Sequence, residues 1–221
     1  MKQLVIAIDG PSGAGKSTAG RALAARLGYV FIDTGAMYRA LALKAMRAGV
    51  DSAVELALAG LLQASRIELS DGGRQVLLDG EDVTLEVRAR EVSACASRVS
   101  AHPTVRREMV IRQRELGRLG GVVLDGRDIG TAVFPDAAVK FYVDADVRHR
   151  AERRQSELEA AGALADLAAI EQEIRERDHA DMTRSDSPLT RAADAVVIDT
   201  TDLTREQVLE RMLEVVNERL G

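Results

Sequence analysis

The sequence predicts an α/β fold of three layers: a central parallel sheet of five strands with helices on both faces. Three observations carry that reading. Short unbroken apolar runs recur along the chain, as expected of strands buried on both faces. Segments with apolar residues at helical spacing separate them. Strands that alternate with helices in this way fold by crossover into a parallel sheet. The 221 residues suffice for one domain with insertions and a sizeable core.

The first run, Leu4–Ile8, reads as a buried strand. A Gly-rich turn follows, then a helix over 16–27 that ends at Gly28. A second strand is expected over 29–32 and a helix over 35–48, stopped by Gly49. A further helix is expected over 52–64, with Asp51 placed to cap it. The period then changes over 66–80. Ile67 and Leu69 alternate, Asp71-Gly72-Gly73 forms a turn, and Val76 and Leu78 alternate again. This is a β-hairpin inserted into an α/β pattern. Helices resume over 86–101 and 103–118, broken near Pro103. Strands follow over 122–125, 138–143 and 195–198, the last two separated by a charged helical stretch over 146–184. The final helix opens on a capping box, Thr204 with Gln207, and a staple, Leu203 with Val208.

A composition of 46% hydrophobic and 29% charged residues is that of a globular protein. With 35 acidic residues against 30 basic, the net charge of −5 argues against a nucleic-acid partner. Three Phe, three Tyr and no Trp leave no aromatic platform for a strand of bases. A local cluster of Arg can still hold a small anion in an acidic protein. The lone cysteine, Cys95, forms neither an internal disulfide nor a cysteine zinc site and is expected in the core. A reducing, cytoplasmic setting is the expectation. The apolar start is too short for a signal segment, and no apolar run approaches the ~18 residues of a membrane span. Nothing in the sequence demands a dimer, so a monomer is expected.

Gly10-Pro11-Ser12-Gly13-Ala14-Gly15-Lys16-Ser17 matches G-x-x-x-x-G-K-[ST] in full, between a strand and a helix as the motif requires. The glycines let backbone N–H groups converge on phosphate oxygens, and the helix N-terminus adds its dipole. Lys16 brings a point charge to the β- and γ-phosphates, and Ser17 offers a hydroxyl to Mg²⁺. A nucleoside triphosphate site follows, contributed by Gly10 to Ser17 with the adjoining Thr18. A guanine-specific switch would carry an Asn-Lys-x-Asp motif, but the only Asn is Asn217, in the last helix. A motor would need coupling domains for which no chain remains.

A kinase would need an anion-binding acceptor site on loops at the strand ends. Asp33 to Arg39 follows the second strand and reads equally as a site loop or as a helix cap with a solvated Arg39. Asp125-Gly126-Arg127-Asp128 follows the third strand. Asp125 is placed to act on Mg²⁺ directly or through water, and Arg127 and Asp128 leave the same loop. Arg177, Asp181 and Arg184 fall on one helix face, which by spacing alone most often means a solvated ion-pair ladder. Arg148, Arg150, Arg153 and Arg154 read either as a lid over phosphates or as a basic face paired with Glu152, Glu157 and Glu159.

Together, Ile8 to Ser17, Asp33 to Arg39, Asp125 to Thr131, Val133 to Asp136 and Glu176 to Leu189 resemble bacterial cytidylate kinases, P-loop nucleoside monophosphate kinases, over nearly the whole chain. The resemblance implies ATP-dependent phosphorylation of CMP and dCMP with Mg²⁺. It implies a core of about 1–34, 86–145 and 185–221, a monophosphate-binding insertion of about 35–90 that carries the hairpin, and a short helical lid of about 146–165. By matching position, Arg39 and Arg127 would hold the acceptor phosphate, and Thr34, Arg106, Asp128 and Arg184 would read cytosine. Arg177 and Asp181, with Ser97 nearby, would hold the ribose. Lys16, Arg127, Arg150 and Arg154 would carry the catalytic charge, and Ser17 and Asp125 the metal. The nearest rivals are a kinase for another small molecule, such as shikimate, and a nucleotide-binding regulator without catalysis.

Overall fold

The computed structural model describes residues 3–160 and 162–220. In chain order its elements are β1 (Val5–Asp9), α1 (Lys16–Leu27), β2 (Val30–Asp33), α2 (Thr34–Arg47), α3 (Glu55–Gln63), β3 (Ile67–Ser70), β4 (Gln75–Leu78), β5 (Glu81–Asp82), α4 (Arg90–Val99), α5 (Pro103–Gly117), β6 (Val122–Asp125), β7 (Val139–Asp144), α6 (Val147–Ala160), α7 (Leu167–Thr183), β8 (Val196–Asp199) and α8 (Arg205–Leu220).

The central sheet has the order β2-β6-β1-β7-β8, parallel throughout, as the alternation of strands and helices predicts. Side chains of β1 alternate between two cores. Ile6 and Ile8 face Leu23 of α1 and Val208, Met212 and Val216 of α8. Ala7 faces the opposite layer, with Leu124, Ile129 and Val133. Each of the five strands ends in an aspartate: Asp9, Asp33, Asp125, Asp144 and Asp199. Open α/β sheets bind ligands beyond this carboxyl edge.

A third apolar cluster gathers Leu41 of α2, Leu58 and Leu62 of α3, Val76 and Leu78 of β4, Val99 of α4 and Met109 of α5. Cys95 lies in it, 3% exposed, which agrees with the expectation of a core thiol. The expected hairpin is present and is extended by β5 into a three-stranded antiparallel sheet. The extra turn is Asp79-Gly80, both at positive φ, the geometry that an Asp-Gly pair favours in a two-residue hairpin. The tip of the first hairpin docks on the edge strand β2. Gly73 has φ +81, and a Cβ there would lie 1.9 Å from the Phe31 carbonyl oxygen. Arg21 donates to the Gly73 carbonyl at 2.9 Å, and the tip thus covers an otherwise open sheet edge.

The structure corrects three boundaries. The stretch 146–184 is two helices, because Asp166 caps a fresh start by accepting from the Ala168 N–H. Helix α3 begins at Glu55, since Asp51 turns the chain ahead of it by accepting from Ala53. Residues 86–88 form a separate single turn, and the extended Ala89 breaks it from α4. The capping box forms as expected, with Thr204 and Gln207 exchanging bonds of 2.9 and 3.2 Å. No described helix is long and apolar enough to cross a membrane.

Candidate active site

The phosphate loop leaves β1 through Gly10, at φ +144, where a Cβ would sit 1.9 Å from the Val143 carbonyl oxygen of β7. Only glycine passes there. Three carbonyls of the loop are taken by side chains. Lys16 Nζ donates to Pro11 O at 2.6 Å, Arg150 Nη1 to Ser12 O at 2.9 Å, and Thr200 Oγ1 to Ala14 O at 3.0 Å. Within a trans peptide the carbonyl and the N–H of the next residue point opposite ways, so the bonds from Arg150 and Thr200, neither of which lines the cleft, leave the Gly13 and Gly15 N–H groups on the other side of the loop. Gly15 gives α1 no side-chain cap, so the first N–H groups of the helix are left for an anion.

Lys16 is buried, and that burial, with Arg127 nearby, lowers its pKa to about 7. Ser17 Oγ donates to Asp125 Oδ2 at 2.5 Å, so the end of β6 meets the start of α1. Burial and then Asp33 raise the Asp125 carboxyl to about 6, against Lys16 and the Ser17 bond. A hydroxyl and a carboxylate side by side are hard oxygen donors of the kind Mg²⁺ takes, with phosphates and water completing its shell. The Ser17–Asp125 pair therefore fits that ion.

The acceptor candidates converge on the same cleft, of about 830 Å³, which Lys16, Ser17, Thr34, Arg39, Ser97, Arg106, Asp125, Arg127, Asp128, Arg154, Arg177, Asp181 and Arg184 all line. Asp33 caps α2 through Ala36 N–H and holds Arg39 at 2.9 Å. The cap and the site loop, which the sequence left as alternatives, are both present. Thr34 donates to the Asp125 backbone carbonyl at 2.7 Å. Arg127 Nε donates to Asp181 Oδ2 at 2.8 Å. Arg106, 2% exposed, donates to Asp128 at 2.5 Å and lies over the Tyr38 ring, 5.6 Å from its centroid.

Arg184 stands on the helix face that its spacing suggests: its φ of −61° and the bond from its N–H to the Ala180 carbonyl at 3.2 Å continue the helix, and its guanidinium lies 3.5 Å from Asp181 and 3.9 Å from Asp128. The face of Arg177, Asp181 and Arg184 is buried, not a solvated ladder. Burial, then Arg127, lowers the Arg177 pKa to about 10. Burial alone would raise Asp181, but Arg127, Arg177 and Arg184 outweigh it and hold the carboxyl below its ordinary value.

Among the described residues, six buried side-chain polar atoms lack partners, and four of them are Arg39 Nε, Arg106 Nε, Arg177 Nε and Arg184 Nη2. Such atoms are costly to leave unpaired, and four donors around one cleft call for an acceptor-rich ligand.

The four arginines of 148–154 divide. Arg148 pairs with Glu152 in solvent, and Arg153 grips Thr200 at the end of β8. Arg150 is buried against the phosphate loop, and Arg154 stands at the cleft mouth beside Glu157. Two carboxylates that lie in the matched motifs were given no role by the sequence. Asp9 accepts from the Ile129 and Gly130 N–H groups at 2.7 Å each, joining the phosphate loop to the Asp128 loop. Asp178 pairs with Arg150 at 2.7 Å. An acidic residue closing an apolar strand was the available signal for Asp9; Asp178 had none apart from its neighbours.

The comparisons show the family of the chain. A family model described as cytidylate kinase matches residues 6–218. A protein of Symbiobacterium thermophilum named cytidylate kinase is 53% identical over 96% of this chain and 95% of its own. Cytidylate kinases of Geobacillus kaustophilus and Syntrophotalea carbinolica are 52% and 54% identical, over 100% and 99% of this chain and 99% and 94% of theirs. A solved structure from Thermus thermophilus, 23% identical and spanning 100% of both chains, superposes with a TM-score of 0.50 and supports the fold. A match of this length and identity, with every strand-end loop in place, leaves one assignment: the chain belongs to the cytidylate kinase family, whose members are nucleoside monophosphate kinases.

Proposed function

We propose that the protein transfers the γ-phosphoryl group of ATP to CMP and dCMP, with Mg²⁺. The observation that carries this reading is the set of arginines with unpaired donors that line, together with Asp128, the cleft that the phosphate loop opens into. Cytosine presents an amine donor beside ring-nitrogen and carbonyl acceptors. Asp128 accepts from the amine, Arg106 and Arg184 donate to the acceptors, and Thr34 contacts the base edge. Arg39 and Arg127 hold the acceptor phosphate, while Arg177 and Asp181, near Ser97, hold the sugar. This division supports the ribo- and deoxyribonucleotide alike, because base and phosphate carry most of the contacts.

The donor triphosphate lies on Gly10 to Thr18. Ser17 and Asp125 would hold Mg²⁺, which supplies charge neutralisation to the phosphate oxygens when bound. The residues align donor and acceptor and stabilise charge; no side chain acts as a nucleophile. Lys16, Arg127 and Arg154 surround the transferring group, Arg154 when the segment around 146–165 closes over the cleft, while Arg150, outside the cleft lining, braces the phosphate loop through Ser12 O. The insertion of about 35–90 closes from the other side, and together they exclude the water that would hydrolyse ATP. The protein acts as a monomer in a reducing cytoplasm. The test is ADP release from ATP on addition of CMP, abolished by EDTA and restored by Mg²⁺. ADP formed at the same rate without CMP overturns the reading.

A further inference from the structure

Helix α7 carries two buried carboxylates three residues apart on one face, each bound to a different half of the site. Asp181 takes Arg127, on the acceptor side. Asp178, 8% exposed, takes Arg150 Nη1 at 2.7 Å. The same Arg150 nitrogen donates to Ser12 O inside the phosphate loop, and its Nε holds Ala145 O at 2.9 Å. The Arg150 Cβ stands directly beneath Gly13, 3.3 Å from where a Cβ would be. A continuous chain of contacts thus runs from Arg127 through Asp181 and one turn of α7 to Asp178, Arg150 and Ser12.

Two features give this chain a direction. Asp178 Oδ1 is buried without a hydrogen-bond partner, so the carboxylate is held on one side only. Asp178 is adjacent to Arg177 and three residues before Asp181, the partner of Arg127, so the carboxylates of one face of α7 are shared between Arg150 and the acceptor-side cations. An anion bound by Arg127 and Arg177 neutralises that competing pull. The carboxylate then acts on Arg150 alone, and Arg150 fixes the phosphate loop more firmly.

We infer that Asp178 is a positioning residue through which an occupied acceptor site tightens the binding of the nucleoside triphosphate. This rests on the function proposed above. Coupling between sites is reciprocal and commonly amounts to 5–150-fold in affinity. CMP therefore tightens binding of a non-hydrolysable ATP analogue by at least about fivefold, and the analogue tightens CMP equally.

The test is calorimetric titration of the analogue, with Mg²⁺, into protein with and without CMP. In Asp178→Asn, shape is kept but the charge is lost, and the ratio of the two dissociation constants falls to within about twofold of one. Asp178→Glu restores the charge and recovers part of the ratio. A residue with only a structural role would weaken both constants and leave their ratio alone. If Asp178→Asn does not fold, Arg150→Lys carries the test, because an ammonium cannot span Ser12, Ala145 and Asp178 together, and the same loss of ratio is expected. An unchanged ratio in a folded variant, or no coupling in the unaltered protein, overturns the inference. Failure of CMP to bind the unaltered protein at all overturns instead the function on which it rests.

Discussion

Asp128→Asn separates reading a base from supporting an arginine. The carboxylate accepts from Arg106, which is 2% exposed, and lies 3.9 Å from Arg184. In the proposed complex it also accepts from the cytosine amine. A hydrogen bond to a charged group contributes roughly 1.5–3 kcal/mol, so its loss lowers kcat/KM for CMP about 10- to 150-fold at ~1.4 kcal/mol per factor of ten. Uracil has a carbonyl where cytosine has the amine, so the carboxylate rejects it and the amide of Asn can donate to it. UMP turnover therefore falls less than CMP turnover, or rises, and the CMP-over-UMP ratio drops by at least about tenfold. The variant also loosens a buried ion pair, where outright loss of one partner costs about 3–5 kcal/mol. The amide oxygen still accepts from Arg106, so the cost here is smaller and a lowered Tm is expected. The ratio is immune to this, since both acceptors meet the same folded population. Initial rates of ADP release with each acceptor, well below the Tm, give the answer. Equal falls for CMP and UMP would refute base reading and leave Asp128 as a support for Arg106.

Further outcomes follow from other parts of the molecule. Burial raises the Asp9 carboxyl from 3.8 to about 6, against the Gly130 and Ile129 N–H bonds, so the folded state binds the proton more tightly than the unfolded one. Its contribution to stability is complete below pH ~4 and is lost as pH rises through 6, with a slope of up to about 1.4 kcal/mol per pH unit. Denaturant unfolding at several pH values should show Asp9→Asn gaining on the unaltered protein across that window, and parallel curves would contradict it. Gly73→Ala places a Cβ against the Phe31 carbonyl at an unfavourable φ, so it destabilises by about 1–3 kcal/mol, with hydrogen exchange accelerated over 66–82. Global loosening with no local excess there would argue against hairpin docking. Cys95, 3% exposed, should react with a thiol reagent only after denaturant is added; rapid labelling of native protein would place it elsewhere.

The strands of the central sheet were legible because parallel strands buried on both faces read as unbroken apolar runs. Leu4–Ile8 and Val122–Leu124 carry almost no other signal and needed none. The phosphate loop was legible because backbone geometry dictates glycine at fixed places, Gly10 above all. The acceptor side was not legible by spacing. Arg177, Asp181 and Arg184 have the same spacing as a surface ladder, and only their packing against Arg127 and Asp128 tells the two apart. Arg184 reaches the site from the C-terminal end of α7, three residues past Asp181, where it lies 3.5 Å from Asp181 and 3.9 Å from Asp128. The third strand, β5, was signalled by Asp79-Gly80, but it is only two residues long and shows no alternation. The lid arginines look alike in sequence, and tertiary contacts alone send Arg153 to Thr200 and Arg150 to the phosphate loop.

Initial rates of ADP release with ATP and Mg²⁺, offering CMP, dCMP, UMP, AMP and shikimate separately, test cytosine-specific phosphoryl transfer. Strong turnover is expected with CMP and dCMP and little with the other three. Turnover led by another acceptor would keep a kinase and remove the roles given to Arg106, Asp128 and Arg184. No acceptor-dependent turnover in folded, ATP-binding protein would exclude a nucleoside monophosphate kinase activity outright.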